Sequence, residues 1–227
     1  MSSPTFHDGK DLQDTYSLLD FAMEHSSLPF GITSSVYVPT DPLLKQFGGG
    51  KEDPERYRFR MTRAALAGTL VHNTIASPSR QHYGWFDKIV RIYEDFGVPQ
   101  AEFMPYWRNQ KAVQVARGED IYVSLYRDRE RPQVLAVIAH IAHEHRDQEV
   151  EVRLDPAAFG LAAWSQAEEM LTAPDPDYDR LFAEKNRARI PVEIGDYGIE
   201  AVRFDGKALT LTLNHHGVAI VRFTGRR

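Results

Sequence analysis

Apolar and polar positions follow two different rhythms along the chain, and the change falls after about Gly118. In residues 11–25 (DLQDTYSLLDFAMEH), Leu12, Tyr16, Leu19 and Met23 recur at helical spacing. A stretch punctuated by Pro and Gly follows from Leu28 to Gly50, with the apolar run VYV inside it. Asp53-Pro54 makes a helix start, a capping carboxylate ahead of a first-turn proline. Tyr57, Met61, Ala64 and Ala65 carry this helix to a stop at Gly68. TLVHNTIA (69–76) is short, β-branched and apolar, which predicts a buried strand. Ser77-Pro78 opens a further helix with Trp85, Ile89, Ile92 and Phe96 on one stripe, ending at Gly97. AEFMPYW (101–107) is strand-like up to Pro105. Helix, loop, helix, strand, helix, strand is the order of an α/β fold with strands covered on both faces.

Beyond about Gly118 the period shortens to two. DIYVSLYRD, PQVLAVIAHI and QEVEVRLDP are strands with turns between them, and the third puts Val150, Val152 and Leu154 opposite Glu149, Glu151 and Arg153. The stretch LAAWSQAEEMLTAPDPDYDRLFAEKNRAR reads as irregular, with one or two short helices. IEAVRFDG, KALTLTLNHHG and VAIVRFTG are strands again; Leu209, Leu211 and Leu213 alternate with Thr210 and Thr212, and Asn214–Gly217 supplies a hairpin turn. Six or more short antiparallel strands in about 110 residues predict a β-sandwich. The expected organisation is therefore an α/β segment over 1–112 and a β-sandwich domain over 113–227, without internal repeats.

Composition narrows the function classes. The net charge is −5 with Lys and Arg scattered, which argues against nucleic acid or an anionic membrane as the partner. The absence of cysteine excludes disulfides, thiolate metal sites and cysteine nucleophiles. No run approaches the roughly 18 apolar residues of a membrane span. The N-terminal residues lack a signal-peptide pattern, so a soluble protein is expected, cytoplasmic by default, with secretion open to it if the chain is a fragment.

Taken together, ERYRFRMTRAALAGTLVHNTI, a helix, AEFMPYWRN, and IYVSLYRD…VLAVIAHIAHEHRDQEVEVRLD with LDPAAFGL after it resemble the C-terminal end of glycoside-hydrolase-like proteins. In uncharacterised bacterial members of that group, a TIM barrel is followed by a C-terminal β-sandwich. The resemblance covers most of the chain and rests on packing phrases rather than on catalytic signatures. It implies that residues 1–112 are the last βα units of a barrel, which as a whole needs about 250 residues. Glycosidic hydrolysis needs two carboxylates roughly 5 to 10 Å apart. In this family they stand on middle barrel strands that the chain does not contain, so the catalytic residues are expected outside it. The segment would then pack against missing barrel units or a partner chain.

Barrel chemistry lies at the C-terminal ends of strands. That selects His72 and Asn73, with Thr74, from the first strand and Tyr106 and Trp107 from the second, with Arg108 and Asn109 beyond. Aromatic rings stack on apolar sugar faces, and Asn and His bond hydroxyls, so these are the candidate carbohydrate contacts, joined by His82 and Tyr83 on the following helix. The competing reading makes Tyr106 and Trp107 interface aromatics and His82 and Tyr83 capping or solvated residues. Trp85 belongs to the buried stripe, and Glu102, beside Phe103, suits a structural salt bridge better than acid–base work; Asp87 is the other nearby carboxylate.

Other polar clusters carry less. His7, Asp8 and Asp11 are near a terminus, where side chains are usually solvated. PDPDYD spaces Asp175, Asp177 and Asp179 like a calcium loop, but Arg180 and Asn186 stand where that loop needs Gly and Glu. HIAHEH (140–145) fits no zinc spacing, and an extended chain would point His140 away from His143 and His145. It is expected to be a solvated hairpin, as are His215 and His216 in NHHG, so neither metal nor cofactor is expected. The functional expectation is a carbohydrate-active protein, the C-terminal part of a glycoside hydrolase. A non-catalytic carbohydrate-binding or interaction module is the alternative, and a metal-dependent hydrolase using the histidines is the weaker one.

Overall fold

The computed structural model describes residues 35–37, 62–63, 66–77, 83–142, 146–176 and 197–227; of 35–37, 75–77 and 83–86 it describes the backbone alone. Nine strands among these residues form two antiparallel sheets that share one core. The five-stranded sheet has the order β3 (Glu102–Met104), β5 (Ile121–Arg127), β6 (Gln133–His140), β11 (Val218–Arg226), β8 (Ala163–Glu169). The four-stranded sheet has the order β4 (Val113–Arg117), β7 (Gln148–Leu154), β10 (Ala208–Leu213), β9 (Ile199–Phe204). This is the expected β-sandwich.

The alternation in β7 and β10 explains their pairing. Val150, Val152 and Leu154 are buried, as are Leu209, Leu211 and Leu213, and antiparallel register sets Leu209 beside Val152 and Leu211 beside Val150. A slip of one residue would turn every leucine to solvent. By contrast β6 is buried on both faces from Val134 to His140, because the other sheet covers one side and a helical layer the other. Across the sandwich, Trp164 of β8 donates its indole N–H to the Leu154 carbonyl of β7 (2.8 Å), and Phe223 of β11 meets Phe204 of β9 edge-on at 5.8 Å.

LDPAAFGL is the crossing between the two sheets. Asp155 accepts the Ala157 N–H (3.0 Å) and caps a 3₁₀ turn, Pro156–Phe159, which Gly160 ends in the left-handed region at φ 71°. Phe159 and Leu161 on either side of that glycine are buried.

The α/β half differs from expectation. Helix α1 (Tyr83–Phe96) buries Ile89, Ile92 and Phe96 and stops at Gly97, φ 85°, as the sequence indicated. TLVHNTIA, however, is not one strand: Thr69 and Leu70 continue a helix, residues 71–73 turn, and a three-residue strand β2 begins at Ile75. Burial of Leu66, Leu70 and Val71 on one helical face outweighs the β preference of Thr and Val and the weak break at Gly68. Parallel pairing among the described residues is confined to β2 with β1 (Ser35–Tyr37), which takes in the first two residues of the apolar run VYV. AEFMPYW likewise does not close a parallel array. Its strand β3 lies antiparallel to β5, with Phe103 opposite Tyr126, at the edge of the five-stranded sheet. A barrel-like segment is thus not what the described residues form; an open sheet edge beside β5 satisfies the strand instead.

Two strands went unforeseen. β4 and β8 each border their sheet; β4 (VQVAR) is short and buries none of its residues, and β8 buries only Trp164 and Glu169 of its seven. The β8 end is tied down by the buried carboxylate of Glu169, which accepts Leu171 N–H (3.0 Å), Thr172 N–H (2.7 Å), the Thr172 hydroxyl (2.6 Å) and Ile220 N–H (3.3 Å). Buried Lys88 on α1 donates to the Leu171 and Ala173 carbonyls just beyond and lies 5.5 Å from the Tyr197 ring, which fastens the helix to the sandwich.

Candidate functional site

β5 has two faces. Val123 and Leu125 point into the core between the sheets, while Tyr122, Ser124 and Tyr126 line the outer face at period two. Residues 71–73 and α1 cover that outer face. Ser124, fully buried, donates its hydroxyl to the Val71 carbonyl (2.6 Å) and accepts the Tyr106 N–H (3.1 Å). Tyr126 donates to Asn73 Oδ1 at 2.9 Å and meets the Tyr93 ring of α1 at 5.5 Å. Buried Asn109 donates to the carbonyls of Met104 (3.1 Å) and Val123 (2.8 Å), clamping the turn that carries Tyr106 and Trp107.

The result joins residues 34 apart in sequence. His72 is buried, and its Nδ1 faces the Gly68 carbonyl at 2.7 Å. A carbonyl only accepts, so Nδ1 carries the proton and Nε2 presents a lone pair. That lone pair faces Tyr106 Oη at 3.3 Å, which makes the phenol the donor. The His72 ring stacks on Trp107 at 5.8 Å and 28°, and meets Tyr106 edge-on at 5.5 Å. Tyr106 in turn contacts Trp107 at 4.8 Å and Tyr122 at 5.1 Å. Tyr106 and Trp107 remain half-buried, and Asn73, in the left-handed region at φ 56°, is exposed at the edge.

Burial, with a smaller contribution from Tyr122, pushes the Tyr106 hydroxyl up to about 12. The phenol is therefore neutral across physiological pH and offers hydrogen bonding and ring surface rather than a phenolate nucleophile or base. The cluster can hold a flat, hydroxyl-rich molecule by ring contact and hydrogen bonds.

Of the six sequence candidates, His72, Asn73, Tyr106 and Trp107 come together. His82 lies outside the described residues, as does the side chain of Tyr83, whose backbone opens α1. The Trp85 side chain, His7, Asp8, Asp11, Asp177 and Asp179 also lie outside them; Asp175 pairs with Arg91 at 3.3 Å. Glu102 forms the expected salt bridge, with Arg129 at 3.6 Å. Asp87 is exposed on α1. Sequence reasoning missed Tyr122, Ser124 and Tyr126, although their period-two spacing in IYVSLYR marks a polar-aromatic face.

The histidines correct the expectation of a solvated hairpin. His140 closes β6 fully buried, and His215 and His216 in the NHHG turn are buried as well. His143, Glu144 and His145 lie outside the described residues. Among the described residues no three His, Asp or Glu side chains are placed to hold a metal ion, and no helix is long and apolar enough to cross a membrane.

Comparison with protein-family models, with curated proteins and with solved structures returns no significant match.

Proposed function

We propose that the chain is the C-terminal part of a carbohydrate-active, glycoside-hydrolase-like protein, and that Asn73, Tyr106 and Trp107 contact the sugar while buried His72 positions the two aromatic rings from beneath. One observation carries this reading: a half-open Trp stacked on a buried histidine, with a half-open Tyr edge-on to both, stands beside an exposed amide. Saccharide recognition uses that combination, apolar ring faces for the C–H side of the sugar and neutral hydrogen-bonding groups for its hydroxyls. The carboxylate pair that cleaves a glycosidic bond belongs, in this reading, outside the chain. The cluster's role is binding.

The test is a titration of the intact chain with a panel of neutral and acidic soluble polysaccharides, followed by tryptophan fluorescence and by affinity electrophoresis. Retardation by at least one of them is expected. Trp107→Ala should weaken that binding by up to about tenfold, since one ring contact is worth about 0.5–1.5 kcal/mol. Absence of binding to every polysaccharide, or binding indifferent to Trp107→Ala, overturns the reading.

A further inference from the structure

The buried histidines at the closed end of the sandwich have no part in the aromatic cluster, and their packing has a consequence of its own. His140 is the last residue of β6 and is wholly inaccessible to solvent. It holds the turn between β10 and β11 twice: its backbone N–H donates to the Gly217 carbonyl (2.9 Å), and its Nδ1 lies 3.2 Å from the Asn214 carbonyl. The turn is closed by Gly217 N–H on the same Asn214 carbonyl (2.7 Å), with His216 at φ 56°. His215 and His216 are buried beside each other, ring centroids 3.5 Å apart, and His215 stands edge-on to His140 at 6.1 Å.

Because the Asn214 carbonyl can only accept, Nδ1 of His140 carries the ring proton and Nε2 is the basic nitrogen. Among the described residues that buried Nε2 has no hydrogen-bond partner. A proton arriving there creates a buried N–H donor without an acceptor, and a buried positive charge, which is among the costlier things a protein interior can contain.

Charged groups reach the ring from three directions. On the β4–β5 turn, Asp120 favours the charged imidazole. On the approach to β7, Arg146, ion-paired to Glu119, opposes it, and Asp147 accepts the His215 backbone N–H at 3.0 Å. From the turn itself His216 opposes it, and the Arg63 guanidinium packs against Gly198, whose carbonyl accepts Asn214 N–H. Desolvation is the largest influence, so the balance holds the His140 imidazole below its ordinary value.

We propose that His140 is an acid-sensitive latch: its protonation releases the Asn214–Gly217 turn, with His215 and His216, from the end of β6. Opening gives the imidazolium water to donate to, and removes it from the other two rings. The direction follows from linkage. The opened chain takes up a proton near pH 6.5, while the closed one resists until a lower pH, so closure is complete above about 6.5 and weakens as pH falls below it. With one proton taken up on opening, the opening constant rises with falling pH, by up to about tenfold per pH unit, until the closed form is protonated as well.

Native-state amide hydrogen exchange of the intact chain at pH 7.5 to 5.0, corrected for intrinsic rates, reads this constant at the His140 and Gly217 amides. The expected result is a rise of up to about tenfold per pH unit below about 6.5 in the wild type and a distinctly shallower one in His140→Asn. The asparagine keeps a donor for the Asn214 carbonyl but cannot titrate, so the slope, not the level of stability, is diagnostic. Flat profiles in the wild type, or the same slope in the variant, overturn the proposal. Should His140→Asn not fold, the ring Cε1–H resonance of His140 in the wild type decides: titration well below 6.5, coincident with turn opening, supports the latch, and titration at or above 6.5 sinks it.

Discussion

Ser124 donates its hydroxyl to the Val71 carbonyl across 2.6 Å, 53 positions away in the chain. The same oxygen accepts the Tyr106 N–H at 3.1 Å. One small side chain on β5 therefore sets the spacing between the turn that carries His72 and the turn that carries Tyr106 and Trp107. Ser124→Ala leaves a buried carbonyl and a backbone N–H without their partner and should cost about 1–3 kcal/mol. Urea unfolding measures the loss. Affinity for polysaccharide should fall as well, although the serine touches none of it. An alanine variant as stable as wild type would show that the two turns are held by other means.

Alkaline pH should loosen the layer over β5. The hydroxyls of Tyr93, Tyr106, Tyr122 and Tyr126 are all pushed up, burial being the first cause in each. An acid whose folded value is raised stays protonated when folded while the unfolded chain ionises near 10. Stability is therefore flat up to about pH 9 and falls above about 10, as the unfolded state releases protons the native state retains. Phenolate absorbance at 295 nm should rise together with unfolding rather than ahead of it, and Tyr106→Phe should make the decline shallower. Ionisation of these tyrosines near pH 10 in a chain that remains folded would contradict this account.

Glu169→Ala removes the acceptor for three backbone N–H groups and one hydroxyl at the end of β8. Buried donors without partners make this one of the harsher substitutions in the sandwich, about 2–4 kcal/mol. Glu169→Gln should recover only part of the loss, because its amide NH₂ would face donors. Thermal and denaturant unfolding of the two variants test the order; equal stability of Gln and wild type would be the disagreeing outcome.

Gly225 sits where β11 changes register against β8. A Cβ there would stand 2.5 Å from Leu161 Cδ1, a side chain that is itself buried. Gly225→Ala should cost about 1–3 kcal/mol by overpacking. Pairing it with Leu161→Ala should restore part of the loss, a coupling that a double-mutant cycle detects.

How much of this was legible in the chain depends on which force decides each element. Helix α1 was readable through its Ile89, Ile92 and Phe96 stripe and its Gly97 stop, both local signals. β8 was not, because an edge strand exposed on most positions has no apolar period to show, and only pairing with β11 makes it a strand. The site was half legible. His72, Asn73, Tyr106 and Trp107 were selected as strand ends of a barrel, yet they meet for a different reason. They are gathered on the outer face of a sandwich strand by Ser124, Tyr126 and Asn109.

By itself the sequence determined which faces of β7 and β10 turn to the core, since period-two alternation in QEVEVRL and ALTLTL leaves one register that buries every Val and Leu of those strands. It also determined the capped crossing at LDPAAFG, where Asp, Pro and Gly each meet a local backbone requirement. Tertiary structure alone decided what the histidines are. HIAHEH and NHHG both look like solvent-facing turns, because a polar residue at a strand end carries no mark of its surroundings. His140, His215 and His216 become buried only when β6 and the β10–β11 turn close on one another, 75 residues apart for the nearer pair. Burial at a strand end is a property of what packs over it, and that is set by partners far along the chain rather than by the residues on either side.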